Sequence, residues 1–291
     1  MENLIDLHTH SYISDGKDSP SEVIEAANKN NLKAIALTDH DSIYGIKEAT
    51  ISANKYKIEV IPGIEISALY NDRIIHILGV GIDTSNDYFL NKYTTMKKVR
   101  ENNIPKILEI LNNKHDIKID IDYLHKIKFD EYLSRYDIYR YILENNICID
   151  AQKIWDIYLD PIPYEKGELI EFDEAIKMIH EAKGLSFLAH YNKKIGLGGF
   201  NNQEIEEHIK YLISIGLNGV ERYYPSFNCN DYEFLDYLIN KYNLSYCGGT
   251  DYHGSNRANI DIGIGNGNMK IPYSILNKTL DNSVYLSLLL F

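Results

Sequence analysis

The chain has 291 residues, 44% of them hydrophobic, and a net charge of −12 from 30 Lys and Arg against 42 Asp and Glu; this supports a sizeable core, excludes disorder, and argues against holding duplex nucleic acid through basic patches. Three scattered cysteines, Cys148, Cys229 and Cys247, make no C-x-x-C pair and fit neither a disulfide framework nor a thiolate zinc site. No leader-like pattern opens the sequence and no apolar run approaches the ~20 residues of a membrane span, so a cytoplasmic protein without a membrane partner is expected.

Leu4-Ile5-Asp6-Leu7 reads as a short buried strand. Ser19-Pro20-Ser21-Glu22 opens a helix: Ser19 caps it, Pro20 takes the first helical position, and Glu22 falls where a capping box wants a carboxylate. Ala34-Ile35-Ala36-Leu37 is a second strand, 43–56 a helix, 59–64 a third strand and 74–80 a fourth. The fourth is antiparallel to the third or at an edge, because little chain separates them. Helical periodicity then takes over, with no strand. Helices are expected near 86–112, 120–127, 135–145 and 150–158, closed by Pro161-Ile162-Pro163. Alternation resumes with a helix over 172–182, a strand over 185–189, a helix over 204–215, a strand over 219–221, a helix over 232–242, a strand over 244–247 and a last helix over 273–280. About seven strands alternating with helices indicate an α/β barrel. The barrel takes residues 1–85 and 165–291, and 86–164 form a helical insertion.

In such barrels the chemistry collects at the C-terminal ends of the strands, and that rule sorts the ten histidines. His8, His10, His40, His190 and His253 follow predicted strands, and His76 lies in or beside one. His115, His125, His180 and His208 lie in helical stretches and read as ordinary surface or capping residues. Six histidines placed like this, with Asp15, Glu65 and Asp251, are hard to explain without metal. His8-x-His10 and Asp251-x-His253 each place two ligands on one side of an extended segment. Mixed imidazole and carboxylate ligands suit zinc, manganese or iron. Nine ligands divide among two or three ions, with at least one carboxylate bridging. Such clusters suit phosphate-ester hydrolysis, in which a metal-bridging hydroxide attacks the ester. No P-loop, nucleophile elbow or dinucleotide fingerprint competes; the glycines at 196, 198 and 199 read as a flexible loop.

The series His8-Thr9-His10-Ser11, Ser14-Asp15-Gly16, Thr38-Asp39-His40-Asp41, Gly63-Ile64-Glu65-Ile66-Ser67, His76, Leu188-Ala189-His190, Gly219-Val220-Glu221 and Gly248-Gly249-Thr250-Asp251-Tyr252-His253-Gly254 resembles the PHP (polymerase and histidinol phosphatase) superfamily, over most of 1–83 and 165–270. Within it, the chain is most similar to stand-alone nucleoside 3′,5′-bisphosphate phosphatases and 5′–3′ exoribonucleases. The resemblance implies a distorted seven-stranded (β/α) barrel with three divalent ions. His8, His10, Glu65 and Asp251 would hold the first and act in catalysis through it. Glu65 would bridge to a second, completed by His76 and His190, and Asp15, His40 and His253 would hold the third. Relatives carry Gly-Arg-Pro-His where this chain has Ser134-Arg135-Tyr136-Asp137, and Leu-Ala-His-Pro where it has Leu188-Ala189-His190-Tyr191. Arg135 is the expected phosphate clamp because its planar fork suits phosphate oxygens, with Lys193 and Lys194 in a nearby loop. Asp137 would repel an anion if it faced the site.

The expected activity is a metal-dependent phosphatase acting on a small phosphorylated substrate, a nucleotide or short oligonucleotide, under an insertion that serves as a lid. The alternatives are a histidinol-phosphate or sugar-phosphate phosphatase, a short-RNA 5′–3′ exonuclease, and, in a different class, a non-catalytic regulatory or structural PHP module.

Overall fold

The computed structural model describes residues 3–276. Eight strands form one sheet: β1 (Leu4–Thr9), β2 (Leu32–Leu37), β3 (Glu59–Tyr70), β4 (Arg73–Val80), β5 (Ile170–Glu171), β6 (Leu185–Leu188), β7 (Gly219–Tyr223) and β8 (Ser245–Gly248). Their order is β1-β2-β3-β4-β6-β7-β8, with β5 beside β3. All neighbours are parallel except β4, which runs against both β3 and β6. Just past β8 the chain meets β1: Asp251 N–H donates to His8 O at 2.8 Å and His10 N–H to Tyr252 O at 2.9 Å, with one parallel bridge between Thr9 and Tyr252. The two end strands therefore approach each other at the end where the histidines collect.

The helices are α1 (Pro20–Lys29), α2 (Ile46–Tyr56), α3 (Asp87–His115), α4 (Ile121–Ile127), α5 (Arg135–Glu144), α6 (Ala151–Lys153), which continues as a π-helical stretch over Ile154–Leu159, α7 (Phe172–Glu181), α8 (Asn202–Ser214) and α9 (Cys229–Tyr242). The capping box expected at Ser19 is present: Glu22 N–H donates to Ser19 Oγ at 3.1 Å, and Ser19 N–H to the Glu22 carboxylate at 2.7 Å. α1 and α2 bury Val23, Ile24, Ala27, Ala49 and Ala53 against Ile35 and Leu37 of β2. None of the described helices is long and apolar enough to cross a membrane.

Three sequence expectations change. The third strand runs on to Tyr70 and turns back through Asn71 and Asp72, whose φ values of 46° and 61° suit the tight turn that matches strand twist. An eighth strand, β5, has only two residues, too few to leave an alternating pattern. Of the last helix, a 3₁₀ turn at Tyr273–Ile275 is seen, and 277–280 lie outside the described residues.

α3 serves two cores. Phe89, Tyr93 and Met96 pack with the sheet and α7. Beyond Pro105, the side chains of Ile107, Leu108 and Leu111 pack instead with Leu124, Leu133, Ile138, Ile142, Ile154 and Leu159. The helical segment thus has a core of its own. It is tied to the sheet by polar contacts: Arg100 to Asp41 at 2.6 Å, Lys97 and Ser42 to one oxygen of Asp130 at 2.7 and 2.6 Å, and Arg140 to the carbonyls of Tyr12 and Ser14.

Candidate metal centre

The sheet explains why these side chains meet. His8 lies on β1 and His10 just beyond it; His40 follows β2, His190 follows β6, and Asp251 and His253 follow β8. Glu65 sits mid-way along β3, and His76 opposite Ser67 near the start of β4. Because β4 is reversed, its beginning shares an end of the sheet with the C-terminal ends of the parallel strands. His76 is therefore a diagonal neighbour of Glu65 on the same face.

Glu65 is fully buried and ringed by five imidazoles. Its Oε1 faces His76 Nδ1 at 2.9 Å and His190 Nε2 at 3.0 Å. Its Oε2 faces His8 Nε2 at 3.1 Å, His10 Nε2 at 3.2 Å and His40 Nδ1 at 3.0 Å. Asp251 Oδ1 stands 3.2 Å from His10 Nε2 and 3.5 Å from His8 Nε2. His253 Nε2 is 3.2 Å from Asp15 Oδ1, and His40 Nε2 is 3.8 Å from Asp15 Oδ2. Three sets have potential ligand atoms within 4.8 Å of one another: His8, His10, Glu65 and Asp251; His40, Glu65 and His76; and His10, Asp15, His40 and His253. His190 falls outside these sets but keeps its contact with Glu65.

Several close approaches are not hydrogen bonds. His10 Nε2, His40 Nδ1 and Asp15 Oδ1 are buried without a hydrogen-bond partner, although each lies within 3.2 Å of a carboxylate oxygen or an imidazole nitrogen. The lone pairs and N–H groups are not aimed at each other. Buried polar atoms left in this way are costly unless something else satisfies them, and convergence without mutual pairing suits a shared central ion. The donor set, imidazole and carboxylate without thiolate, fits manganese, iron or zinc.

The electrostatics agree. Burial would raise the Glu65 carboxyl, but His40, His8 and His76 hold it well below its usual range. Burial likewise opposes ionisation of Asp251, yet Arg257, His8 and His253 keep it ionised. Burial pushes His40 down to about 3. His10 goes the other way, to about 10, because the carboxylates of Asp251 and Glu65 beside it outweigh its burial.

Loop backbone is strained to deliver these groups. Asp41, His190 and Asp251 take φ values of 51°, 24° and 52°, a region that disfavours side-chain-bearing residues and persists where the surroundings hold it. Gly249 has a different reason to be glycine: a Cβ there would sit 2.3 Å from His8 N and Cβ. Gly249→Ala is expected to push His8 aside, cost about 1–3 kcal/mol as overpacking does, and reduce bound metal. Thermal unfolding and metal stoichiometry check both.

The substrate-facing expectations fare differently. Arg135, the expected phosphate clamp, is buried and already engaged: Nη1 donates to the carbonyls of Leu159 and Ile162 at 2.8 Å each, and Nη2 to Pro163 O at 3.1 Å. Its fork fastens the end of the insertion to α5, and its buried Nε is left without a hydrogen-bond partner. Asp137 is turned back onto its own helix, accepting from Ser134 N–H at 2.8 Å and pairing with Arg140 at 3.1 Å. It does not present a free charge. Lys193 stands 5.6 Å from the centre of the Tyr224 ring, whose hydroxyl donates to Asp251 Oδ2 at 2.7 Å. Lys194 is exposed and pairs with Asp160 at 2.9 Å.

Four residues that the sequence reading did not assign border the cluster. Arg257 pairs with Asp251 Oδ2 and donates to Tyr224 at 2.8 Å. Glu221 contacts His8. Arg100 is buried, and its Nη2 has no partner. Tyr136, from the insertion, stacks on His40 with ring centres 5.5 Å apart. Glu221 carried a signal, an acid ending a short apolar strand; the other three contacts depend on tertiary structure alone.

Buried imidazoles and carboxylates converging at one end of an α/β sheet define the site of a metal-dependent hydrolase. The chain matches the PHP domain over residues 6–215 and belongs to that family. It is 33% identical over 192 residues to a 5′-3′ exoribonuclease of Haemophilus influenzae, covering 65% of this chain and 69% of that one. It is 26% identical over 264 residues to a 3′,5′-nucleoside bisphosphate phosphatase of Chromobacterium violaceum, covering 89% and 90%. In fold it is similar to a candidate metal-dependent phosphoesterase of Bifidobacterium adolescentis, with a TM-score of 0.80 at 21% identity over 96% of each chain. The protein is a metal-dependent phosphoesterase of the PHP type.

Proposed function

We propose that His8, His10, Asp15, His40, Glu65, His76, His190, Asp251 and His253 hold three divalent ions, and that the enzyme removes phosphate from nucleotides, with nucleoside 3′,5′-bisphosphates as the preferred class. The observation that carries the metal assignment is Glu65, buried, with two imidazoles on one oxygen and three on the other. That division is what a bridging carboxylate needs. The similarity to the bisphosphate phosphatase spans nearly the whole chain, insertion included, and supports the substrate class.

Divalent ions bound there lower the pKa of water towards neutrality and neutralise phosphoryl oxygens. The chain's own residues do the rest. Arg257 and Tyr224 both hold Asp251 Oδ2, which leaves Oδ1 turned to His8, His10 and His253. Asp15 and His253 are the most exposed of the nine, so the substrate approaches on their side. Residues 86–164 act as the lid there, through Tyr136 over His40. Among the described residues, Arg100, with an uncommitted Nη2, and Lys193, beside the Tyr224 ring, are the cations proposed to meet a phosphate.

The test is metal analysis of the purified protein, followed by phosphate release with added Mn²⁺ from a nucleoside 3′,5′-bisphosphate, a short 5′-phosphorylated RNA and histidinol phosphate. The bisphosphate should turn over fastest. Faster mononucleotide release from RNA would favour the exonuclease, and faster turnover of histidinol phosphate the small-molecule phosphatase. A protein that binds no metal and cleaves nothing would be a non-catalytic module, and the proposal would fall.

A further inference from the structure

We infer that Glu221 is a positioning residue that sets the tautomer of His8 and fixes the backbone of His190, so that one buried carboxylate orients two metal ligands from different strands. The inference rests on the metal reading above. Glu221 lies on β7 and is fully buried. Its Oε1 is 2.8 Å from His8 Nδ1, and its Oε2 accepts the His190 backbone N–H at 2.8 Å. Among the described residues, no lysine or arginine pairs with it; its partner in charge is His8.

An ionised carboxylate only accepts hydrogen bonds. His8 Nδ1 must therefore carry a proton, which leaves Nε2 as the nitrogen that can offer a lone pair. That nitrogen is the one directed at Glu65 and Asp251, 3.1 and 3.5 Å away. A ligand histidine whose other nitrogen donates to a carboxylate is held in one tautomer and one orientation and is a more basic ligand. The second oxygen of Glu221 acts on His190 through its main chain. His190 has φ of 24°, and the bond to its N–H helps hold that backbone so the ring reaches Glu65 Oε1 at 3.0 Å.

Glutamine cannot replace both functions. If its oxygen accepts from His190 N–H, its NH₂ faces His8 Nδ1 and selects the tautomer with the proton on Nε2, the nitrogen needed by the ion. If it flips, its NH₂ faces the His190 N–H, donor against donor. Glu221→Asp keeps two accepting oxygens on a shorter stem.

The test measures Zn²⁺ affinity by competition with a chromophoric chelator, alongside circular dichroism and the unfolding midpoint of the metal-free proteins. E221Q is expected to bind Zn²⁺ about 10- to 100-fold more weakly, and E221D to lose less. Equal losses in the two variants, or a lowered midpoint with wild-type Zn²⁺ affinity, would reduce Glu221 to packing and overturn the inference. Should E221Q fail to fold, ¹⁵N spectra of the Zn²⁺-loaded wild type decide it: a protonated His8 Nδ1 is expected, and a bare one overturns it. A wild type that binds no Zn²⁺, Mn²⁺ or iron would instead overturn the metal reading itself, so the two failures stay distinct.

Discussion

Replacing Glu65 by glutamine is expected to strip metal from the centre and lower phosphoester hydrolysis about 1000-fold or more, a loss of about 4 kcal/mol in transition-state stabilisation. Five imidazoles surround this one carboxylate, and an amide offers them one acceptor and two donors with no charge. Burial lowers the affinity of His8 for its proton, but Glu65, Glu221 and Asp251 raise it well above the usual value, and His10 is raised to about 10. Without metal these rings keep their protons in the fold more strongly than in the unfolded chain. The stabilisation is full below about pH 6.5 and is lost as pH rises towards the folded values. Metal must displace those protons, so wild-type affinity should rise with pH between about pH 6 and pH 9. Metal analysis, phosphate-release rates and melts of the stripped proteins at both pH values check this. A glutamine variant that keeps wild-type metal content and rate would remove Glu65 from the centre.

The convergence of these histidines and carboxylates was legible because its signals are local. His8-x-His10 shows its geometry in its spacing; Asp251, with φ of 52°, does not continue an extended segment to His253, but both follow a short apolar run that is itself a strand, as most of the rest do. His76 was the least direct, since it needed β4 to run backwards; only the short connection between the third and fourth strands hinted at that. What stayed hidden depends on where long side chains turn. Nothing local reveals that Arg135 reaches the carbonyls of residues 159, 162 and 163, or that Asp137 folds back to cap α5. Asp41 and Arg100 are far apart in sequence and meet only after α3 has packed on the sheet. In a helical pattern an arginine is by default a solvated one.

Arg100 pairs with Asp41 and is also a proposed phosphate cation, and two variants separate the two roles. Arg100→Met should lower the folding free energy by about 3–5 kcal/mol, as breaking a buried pair from one side does. Asp41 would be left ionised without its partner at 2.6 Å, next to His40 and in a backbone with φ of 51°. Burial already works against the Asp41 carboxylate, and Arg100 is what holds its pKa below the usual range. Removing the charge as well, in Arg100→Met with Asp41→Asn, should restore most of that stability, because Asn can still accept the Ser67 N–H that Asp41 Oδ1 now takes at 2.9 Å. It should not restore binding if the free Nη2 meets a phosphate: KM for a nucleoside bisphosphate should stay raised about tenfold or more, the scale of one charge-assisted hydrogen bond. Urea unfolding at fixed metal concentration and steady-state kinetics give the two readouts. Recovery of both stability and KM in the double variant would make Arg100 a counter-ion for Asp41 and nothing more, and would leave Lys193 as the remaining proposed phosphate cation.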